Sequence, residues 1–557
     1  MTVLQFLFKS IAGRWHREWL LLGFILLVAL GLRLWGIGFG LPYEYHVDEV
    51  QYVRQAAAMG ARGLEPVWWN NPPFFKYILF AEYAGLFVLG KWLGWHSSAI
   101  EFGARHSLDP TWLYLLGRAT SAVLGALTVL LAYWMGKVAY NRRVGLLSAC
   151  FLAVSFIHVR DSHYAVNDIA LTFWVAVAML ASLKIVQSGA VRWYVVAGVA
   201  MGLFATKYTA GFALLPVIVG HFLSPDVQLK RMAKLRLGRL MVAPVVAGLA
   251  AVVGSPYFLL TPNKVIRDVY EALYLAGRQG FEGWQIDAAG GYFFYLKSLV
   301  WGLGWALLLL SMTAVMIALL RHTPQDVVLL SLPVVMYAVM GWQQMYFARF
   351  ILPIVPALLV MGASLLEKLV SSFTVGSKWM GAAMSIGVLI VIAQPLVFSL
   401  RHDYLLTQPD TRTLARQWIE ANIPEGARIA VDWPVHGPPL STPEKAVPYS
   451  DRVYDVTIVG GTGLADHSIE WYREQGFEYL IASSFIYNIP LVYEERDAAR
   501  RAFYASLDQE LERVHEFRPY QGDAEPPFIF DEIYGPAVSL WQRERPGPTI
   551  KIYRIGD

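Results

Sequence analysis

The sequence predicts a mainly α membrane protein, a bundle of about eleven transmembrane helices followed by a soluble α/β domain, and three observations predict it. Of 557 residues, 56% are hydrophobic and only 16% charged, where a soluble domain carries about 25% charged residues. The apolar residues fall in runs of about 15 to 25, the length that crosses a hydrocarbon core of about 30 Å. After Leu400 the composition changes abruptly to that of a soluble domain.

Taken in order, the apolar runs are Leu20 to Gly38, Trp112 to Met135, Val144 to Val159, Ile169 to Ile185 and Trp193 to Ala205. They continue with Thr209 to Phe222, Leu240 to Phe258, Leu296 to Leu320, Val327 to Met340, Phe350 to Leu366 and Trp379 to Leu400. Lys9, Arg14 and Arg17 precede the first run, as in a signal peptide. The run is too long for such a segment and lacks a clear small-residue cleavage site, so it reads as a retained span. With the N-terminus cytoplasmic, the inner loops hold Lys137, Arg142 and Arg143, then Lys184 and Arg192, then Lys230 to Arg239, Arg321, Lys368 and Lys378. Basic residues of short loops stay in the cytoplasm, so the loop from Leu41 to Thr111 and the tail fall outside. The stretch Phe74 to Trp95 is apolar enough to resemble a span, but Lys76, Glu82, Tyr83 and Lys91 give it a polar stripe. It is expected to lie in the interface, because counting it as a span would put the basic loops outside.

Two domains are expected, residues 1–400 in the membrane and 401–557 outside it. In the tail, Ala427 to Asp432 and Glu478 to Ser483 read as strands, and Thr411 to Asn422, His467 to Gln475 and Glu494 to Arg513 as helices. The turn Gly460-Gly461-Thr462-Gly463 lacks the spacing and lysine of a phosphate loop and reads as a turn. The single cysteine, Cys150, lies in an apolar run, which excludes an intramolecular disulfide. The net charge of +4 and the scattered basic residues give no nucleic-acid footprint.

The strongest chemical signal is Tyr45-His46-Val47-Asp48-Glu49, just outside the first span, because adjacent carboxylates at a membrane surface are costly to desolvate. Under the same topology, other polar residues from distant segments fall on that face. They are Asn71 and Lys76, Arg118 near the outer end of the second span, Arg160, Asp161, His163 and Asp168 in the next outer turn, then Lys207 and Arg349. Singly, Arg33, Lys207 and Arg349 also suit side chains that snorkel to the interface. Together the group describes a site for an anionic ligand. The outer loop between Phe258 and Leu296 adds Tyr270, Tyr274, Trp284, Tyr292 and Tyr295, which suit an interfacial belt or stacking on sugars or isoprenoid tails.

In this order, Asp48-Glu49, Asn71-Pro72-Pro73-Phe74-Phe75-Lys76, Arg118 to Val129, Arg160 to Asp168, and Arg349-Phe350-Ile351-Leu352-Pro353 with Pro356 resemble the protein O-mannosyltransferases and the lipid A aminoarabinose transferases, of the GT-C class. The resemblance covers the first 220 residues or so. It departs at Asn71, where the mannosyltransferases usually carry His, and the tail resembles no partner domain of that family. It implies an inverting glycosyltransferase that moves a sugar from a polyprenyl-phosphate carrier to an acceptor hydroxyl on protein, lipid or polysaccharide. Asp48 is then the general base and Glu49 an orienting group. Lys76, Arg118, Arg160, Lys207 and Arg349 bind the donor phosphate, and His163, Asp168 and Asn71 serve the acceptor or support the site. No cofactor is required; a divalent metal at His163 and Asp168 is the weaker reading. The expected location is the plasma (inner) membrane, multi-pass, with the tail extracytoplasmic and no nucleic-acid partner. A transporter or lipid flippase is the alternative, disfavoured because no half-chain repeat is visible and the charges gather at one interface. A membrane-anchored binding or assembly protein is a third class, in which the convergence of charges is coincidence.

Overall fold

A computed structural model describes residues 3–67, 69, 73–203, 208–225, 237–274, 283–372, 377–433, 435–522 and 524–556. Seven of the described helices are long and apolar enough to cross a membrane, and three shorter apolar helices accompany them. The first helix is Val3–Leu34. Helix Thr111–Ala139 packs against both Arg142–Val154 and Asn167–Ser188. With no hydrophobic gain from leaving lipid, such contacts rest on close approach, which small residues permit. A Cβ at Gly145 would lie 2.6 Å from the Tyr133 carbonyl, and one at Gly198 2.6 Å from that of Ala243.

The basic loops gather at one end of the bundle. Glu18 meets Lys137 and Arg142, Arg143 meets Glu367, Arg239 donates to the Gly189 carbonyl, and Asp326 takes Arg321. Asn141 caps Arg142–Val154 there, and Thr323, with Pro324 at the first helical position, caps Pro324–Trp342. The tail sits at the opposite end.

Three expected spans are irregular. Val144 to Val159 is broken at Ser155, where Arg142–Val154 stops and the short helix Phe156–Asp161 begins. Leu296 to Leu320 is not one span but two helices, Gly290–Leu303 and Trp305–Arg321. Between them Gly304 has φ +77°, a conformation open to glycine, and the Trp305 N–H leaves the helical ladder to donate to Gln394 Oε1 at 2.9 Å. Phe350 to Leu366 opens with the tight turn Ala348–Ile354 before helix Val355–Ser372. Helix Pro73–Trp92, placed in the interface by its polar stripe, is by length and composition one of the seven. Its recorded contacts with Thr111–Ala139 fall on residues 113–120, at the tail-facing end: Leu79 lies against Gly117, Tyr83 donates to the Leu113 carbonyl, and Glu82 pairs with Thr120.

The last long helix, Ser377–Leu406, runs through residue 400 without a break and delivers the chain to a five-stranded sheet. The strands are β1 Arg428–Asp432, β2 Asp455–Val459, β3 Tyr479–Ser483, β4 Glu512–Phe517 and β5 Ile550–Arg554, in the order β2-β1-β3-β5-β4. The first three are parallel, and β5 runs antiparallel to both its neighbours. Side chains alternate across the sheet: Ile429, Val431 and Ile481 face helix Thr411–Asn422, while Ala430, Leu480 and Ala482 face Ile469–Glu474 and Glu494–Glu510. β2, β4 and β5 are absent from the sequence expectation. At the Gly460 to Gly463 turn the following Leu464 N–H bonds the Asp432 carboxylate at 2.8 Å, so the turn closes the fold.

The tail is docked onto the membrane half. Arg412 covers the Tyr45 ring at 4.0 Å and donates to its carbonyl, and Tyr45 Oη bonds Thr413. Phe485, Phe530, Ile533 and Tyr534 join the main apolar cluster of the bundle.

Candidate functional site

The site begins where the first helix ends and the chain turns back. Helix Glu49–Arg62 starts with Asp48 at its N-cap. The Asp48 carboxylate does not cap it; instead His46 Nδ1 accepts the Asp48 and Glu49 N–H groups at 3.2 and 3.3 Å. An accepting Nδ1 requires the neutral imidazole, and burial, then the positive charges of Arg349, Arg118, Arg160 and Arg412, holds His46 well below the usual histidine range. The Asp48 carboxylate is thereby left to pair with Arg349.

The adjacent carboxylates have different fates. Glu49 is fully buried and takes Arg118 in a two-pronged pair, Nε to Oε1 and Nη2 to Oε2, both at 2.8 Å. It also accepts the Ala165 N–H at 2.7 Å. The remaining Arg118 Nη1 donates to the Ile37 and Phe39 carbonyls at 2.8 and 2.9 Å, and the guanidinium lies 4.2 Å from the Phe39 ring. Arg118, expected on the donor phosphate, is committed to Glu49 and backbone. Together they tie the end of the first helix, helix Thr111–Ala139 and the turn after Phe156–Asp161.

Asp48 keeps 24% of its side chain exposed and meets Arg349 Nη2 at 2.8 Å. Arg349 Nε lies 3.6 Å from Asp168, in the first turn of Asn167–Ser188. Arg349 therefore bridges two carboxylates from segments far apart in the chain, with the Phe347 and Tyr534 rings 4.4 and 4.1 Å away. Tyr52, one turn beyond Asp48 on the same helix, faces this group. Burial, then the Asp168 and Asp48 charges, holds its hydroxyl well above the usual tyrosine range. Lys76 is buried, with Nζ 5.9 Å from the Tyr52 ring and bonded to Gln55 Oε1 at 2.7 Å.

Arg160, also expected on the phosphate, is a clamp on the tail. Its Nη2 donates to the Asp531 and Gly535 carbonyls at 2.7 and 3.2 Å, and its Nε to Pro536 at 3.3 Å. His163 sets Nδ1 and Nε2 each 2.9 Å from a carbonyl, those of Val159 and Trp35, and the neutral ring donates to one of them. Burial lowers its pKa to about 4. Among the described residues the one group with metal-ligand potential is His163, His402 and Asp403, whose ligand atoms lie within 4.8 Å of one another. The Asp403 Oδ1 sits 3.4 and 3.1 Å from the two imidazoles, distances that hydrogen bonding also explains. Asn71 and Lys207 lie outside the described residues.

Sequence reasoning missed Tyr52, Phe347 and Tyr534. Tyr52 was within reach, being four residues after Asp48 and on one helix face with it. A groove of about 930 Å³ runs along the seam with the tail, with Trp284, Tyr292, Trp342, Tyr346 and Tyr493 among its lining residues.

Residues 76–225 match the family described as dolichyl-phosphate-mannose-protein mannosyltransferase. The undecaprenyl phosphate-alpha-4-amino-4-deoxy-L-arabinose arabinosyl transferase 1 of Pseudomonas fluorescens is 26% identical over 374 residues, 62% of this chain and 66% of the relative, just under two thirds of its length. The apo oligosaccharyltransferase of Archaeoglobus fulgidus superposes with a TM-score of 0.53 at 14% identity, covering 93% of this chain and 77% of that one. An archaeal oligosaccharyltransferase from the same organism, in complex with an inhibitory peptide and a dolichol-phosphate, gives 0.52 at 12% identity over 97% and 88%. These likenesses establish the fold.

Proposed function

We propose that this chain, a multi-pass membrane protein of the GT-C fold class, transfers a sugar from a polyprenyl-phosphate carrier to an acceptor hydroxyl at the tail-bearing face of the membrane. One observation carries the reading: Asp48, a partly exposed carboxylate, pairs with Arg349, which also approaches Asp168, while the neighbouring Glu49 is buried and fully paired with Arg118. The mannosyltransferase match and the arabinosyl transferase relative support the donor class.

In the proposed reaction the acceptor oxygen attacks the anomeric carbon as the bond from that carbon to the phosphate oxygen breaks. The hydroxyl proton passes to Asp48, and the leaving polyprenyl phosphate keeps the electron pair. A single displacement inverts the anomeric centre. Arg349 and Lys76 meet the phosphate charge, which a low-dielectric interface makes more effective than in water. Lys207 is assigned there from sequence alone. Arg349 supplies between Asp48 and Asp168 the positive charge a divalent ion would otherwise bring, so the reading calls for no metal. Glu49 and Arg118 hold the turn on which Asp48 stands rather than touch the donor. The aromatic groove is the assigned approach for the acceptor, whose class stays open among protein, lipid and polysaccharide. The expected membrane is the plasma (inner) membrane, with the tail outside.

The test uses membranes containing the full chain and a labelled polyprenyl-phosphate sugar. Asp48→Asn is expected to lower transfer by about 10² to 10⁴-fold with the protein still folded. Transfer at the wild-type rate in that variant removes the assignment.

A further inference from the structure

The tail carries no residue of the sequence-derived site, yet one of its side chains packs against Arg349. Tyr534 closes the short turn Phe530–Tyr534, which the chain reaches only after the first four strands of the sheet. Its ring centroid lies 4.1 Å from the Arg349 guanidinium carbon. Phe347 bears on the same group, with the two rings nearly perpendicular, 5.6 Å apart at 84°.

The position of Tyr534 is fixed from several sides. Asp531 Oδ1 accepts the Ala348 N–H at 3.3 Å, one residue before Arg349, so turn and arginine are registered backbone to side chain. Arg160 grips the Asp531, Gly535 and Pro536 carbonyls. Gly535, at φ +128°, packs its bare Cα against the Tyr164 hydroxyl, where any side chain would collide. Glu532 is tied to Arg543 at 2.6 Å and accepts N–H groups from Ala537, Val538 and Ser539. Buttressing from both halves of the molecule converges on one aromatic ring facing one guanidinium.

We infer that Tyr534 is a positioning residue, holding Arg349 in the orientation in which it receives the donor phosphate, so that the C-terminal domain completes the phosphate site. This rests on the function proposed above. An aromatic face stabilises a guanidinium while leaving it charged. It also restricts the group without adding to the Asp48 and Asp168 carboxylates, which compete with the phosphate. A tyrosine that merely fills space beneath the tail would not need to set its ring face on the guanidinium.

The experiment measures binding of undecaprenyl phosphate to the full chain in detergent, with thermal unfolding as the control on folding. Tyr534→Ala is expected to raise Kd by about tenfold, and Tyr534→Phe, which keeps the ring, by less than about threefold. Tyr534→Leu preserves bulk without the aromatic face and should behave as Tyr534→Ala, which keeps the test decisive if the alanine variant is poorly folded. In an Arg349→Ala background Tyr534→Ala should add nothing further, since its effect passes through Arg349. Unchanged Kd in Tyr534→Leu, or a full tenfold loss persisting without Arg349, overturns the inference alone. Absence of undecaprenyl phosphate binding by the wild-type chain removes the proposed donor class, and this inference with it.

Discussion

Two acid and arginine regions lie one residue apart along the chain and are built to opposite ends. In the Glu49 and Arg118 region every carboxylate oxygen and guanidinium arm has a partner, and neither side chain touches solvent. In the Asp48, Arg349 and Asp168 region the contacts are 2.8 and 3.6 Å and Asp48 remains a quarter exposed. Complete pairing offsets the cost of burying charge and makes a lock. Looser pairing at the edge of a pocket leaves charge that a ligand can exchange into. The two regions depend on each other, because Glu49 anchors the first turn of the helix that Asp48 begins.

The largest effect expected from this contrast is on stability. Glu49→Ala leaves the Arg118 guanidinium buried opposite nothing, which costs about 3–5 kcal/mol. Asp48→Ala removes one partner of Arg349 and leaves Asp168 beside it, and is expected to cost less, about 1–2 kcal/mol. Unfolding of the two variants in detergent, followed by heat or denaturant, measures the difference. Equal losses would mean that Asp48 belongs to the lock and not to the chemistry.

The same contrast shows what the sequence made legible. Asp48 and Glu49 stood out because adjacent carboxylates beside a span need a reason, but nothing in their order says which is buried. That is decided by Arg118, Ala165 and the carbonyls of residues 37 and 39, all distant in sequence. Arg118 and Arg160 were expected on a phosphate because a guanidinium at an interface suits one. Each instead holds backbone carbonyls, which sequence does not display. The long helices were readable from apolar runs, whereas the break at Gly304 was hidden inside one run, since glycine there reads like any small apolar residue. In the tail, Thr411–Asn422 was found because its apolar face repeats at helical spacing. β5 is as long as β1 and β3 and its Ile550-Lys551-Ile552 alternation suits a half-buried strand, so that signal was present and passed over. Tyr534 gave no signal, because its neighbour in the site lies 185 residues earlier in the chain.

A third buried acid sharpens the comparison, since it lacks the arginine. Asp432 ends β1 and accepts only neutral donors: the Leu464 and Ser483 N–H groups at 2.8 and 2.9 Å and the Tyr504 hydroxyl at 2.8 Å. Burial raises its pKa from 3.8 to about 6, and these bonds only partly oppose the rise. The folded state therefore binds this proton more tightly than the unfolded chain. The sign follows from linkage: the contribution is fully present below about pH 4 and is lost as pH rises through about 6, falling by up to about 3 kcal/mol. Asp432→Asn should flatten that slope in the unfolding of the full chain between those pH values. A slope unchanged by the substitution would assign the titration to another group.

The smallest effect expected separates a clamp from a ligand. If Arg160 serves the tail, Arg160→Lys keeps the charge but loses the planar fork that reaches three carbonyls, at a cost of about 1 kcal/mol. Hydrogen exchange should then quicken at residues 530–536 and stay unchanged in β1 and β3, whose bonds Arg160 does not touch. Undecaprenyl phosphate should bind somewhat more weakly, because Tyr534 rides on the loosened turn. Were Arg160 a phosphate ligand as its residue type suggests, binding would weaken while exchange at 530–536 held steady. Arg160 would then join Arg349 among the exchangeable charges rather than Arg118 among the locks.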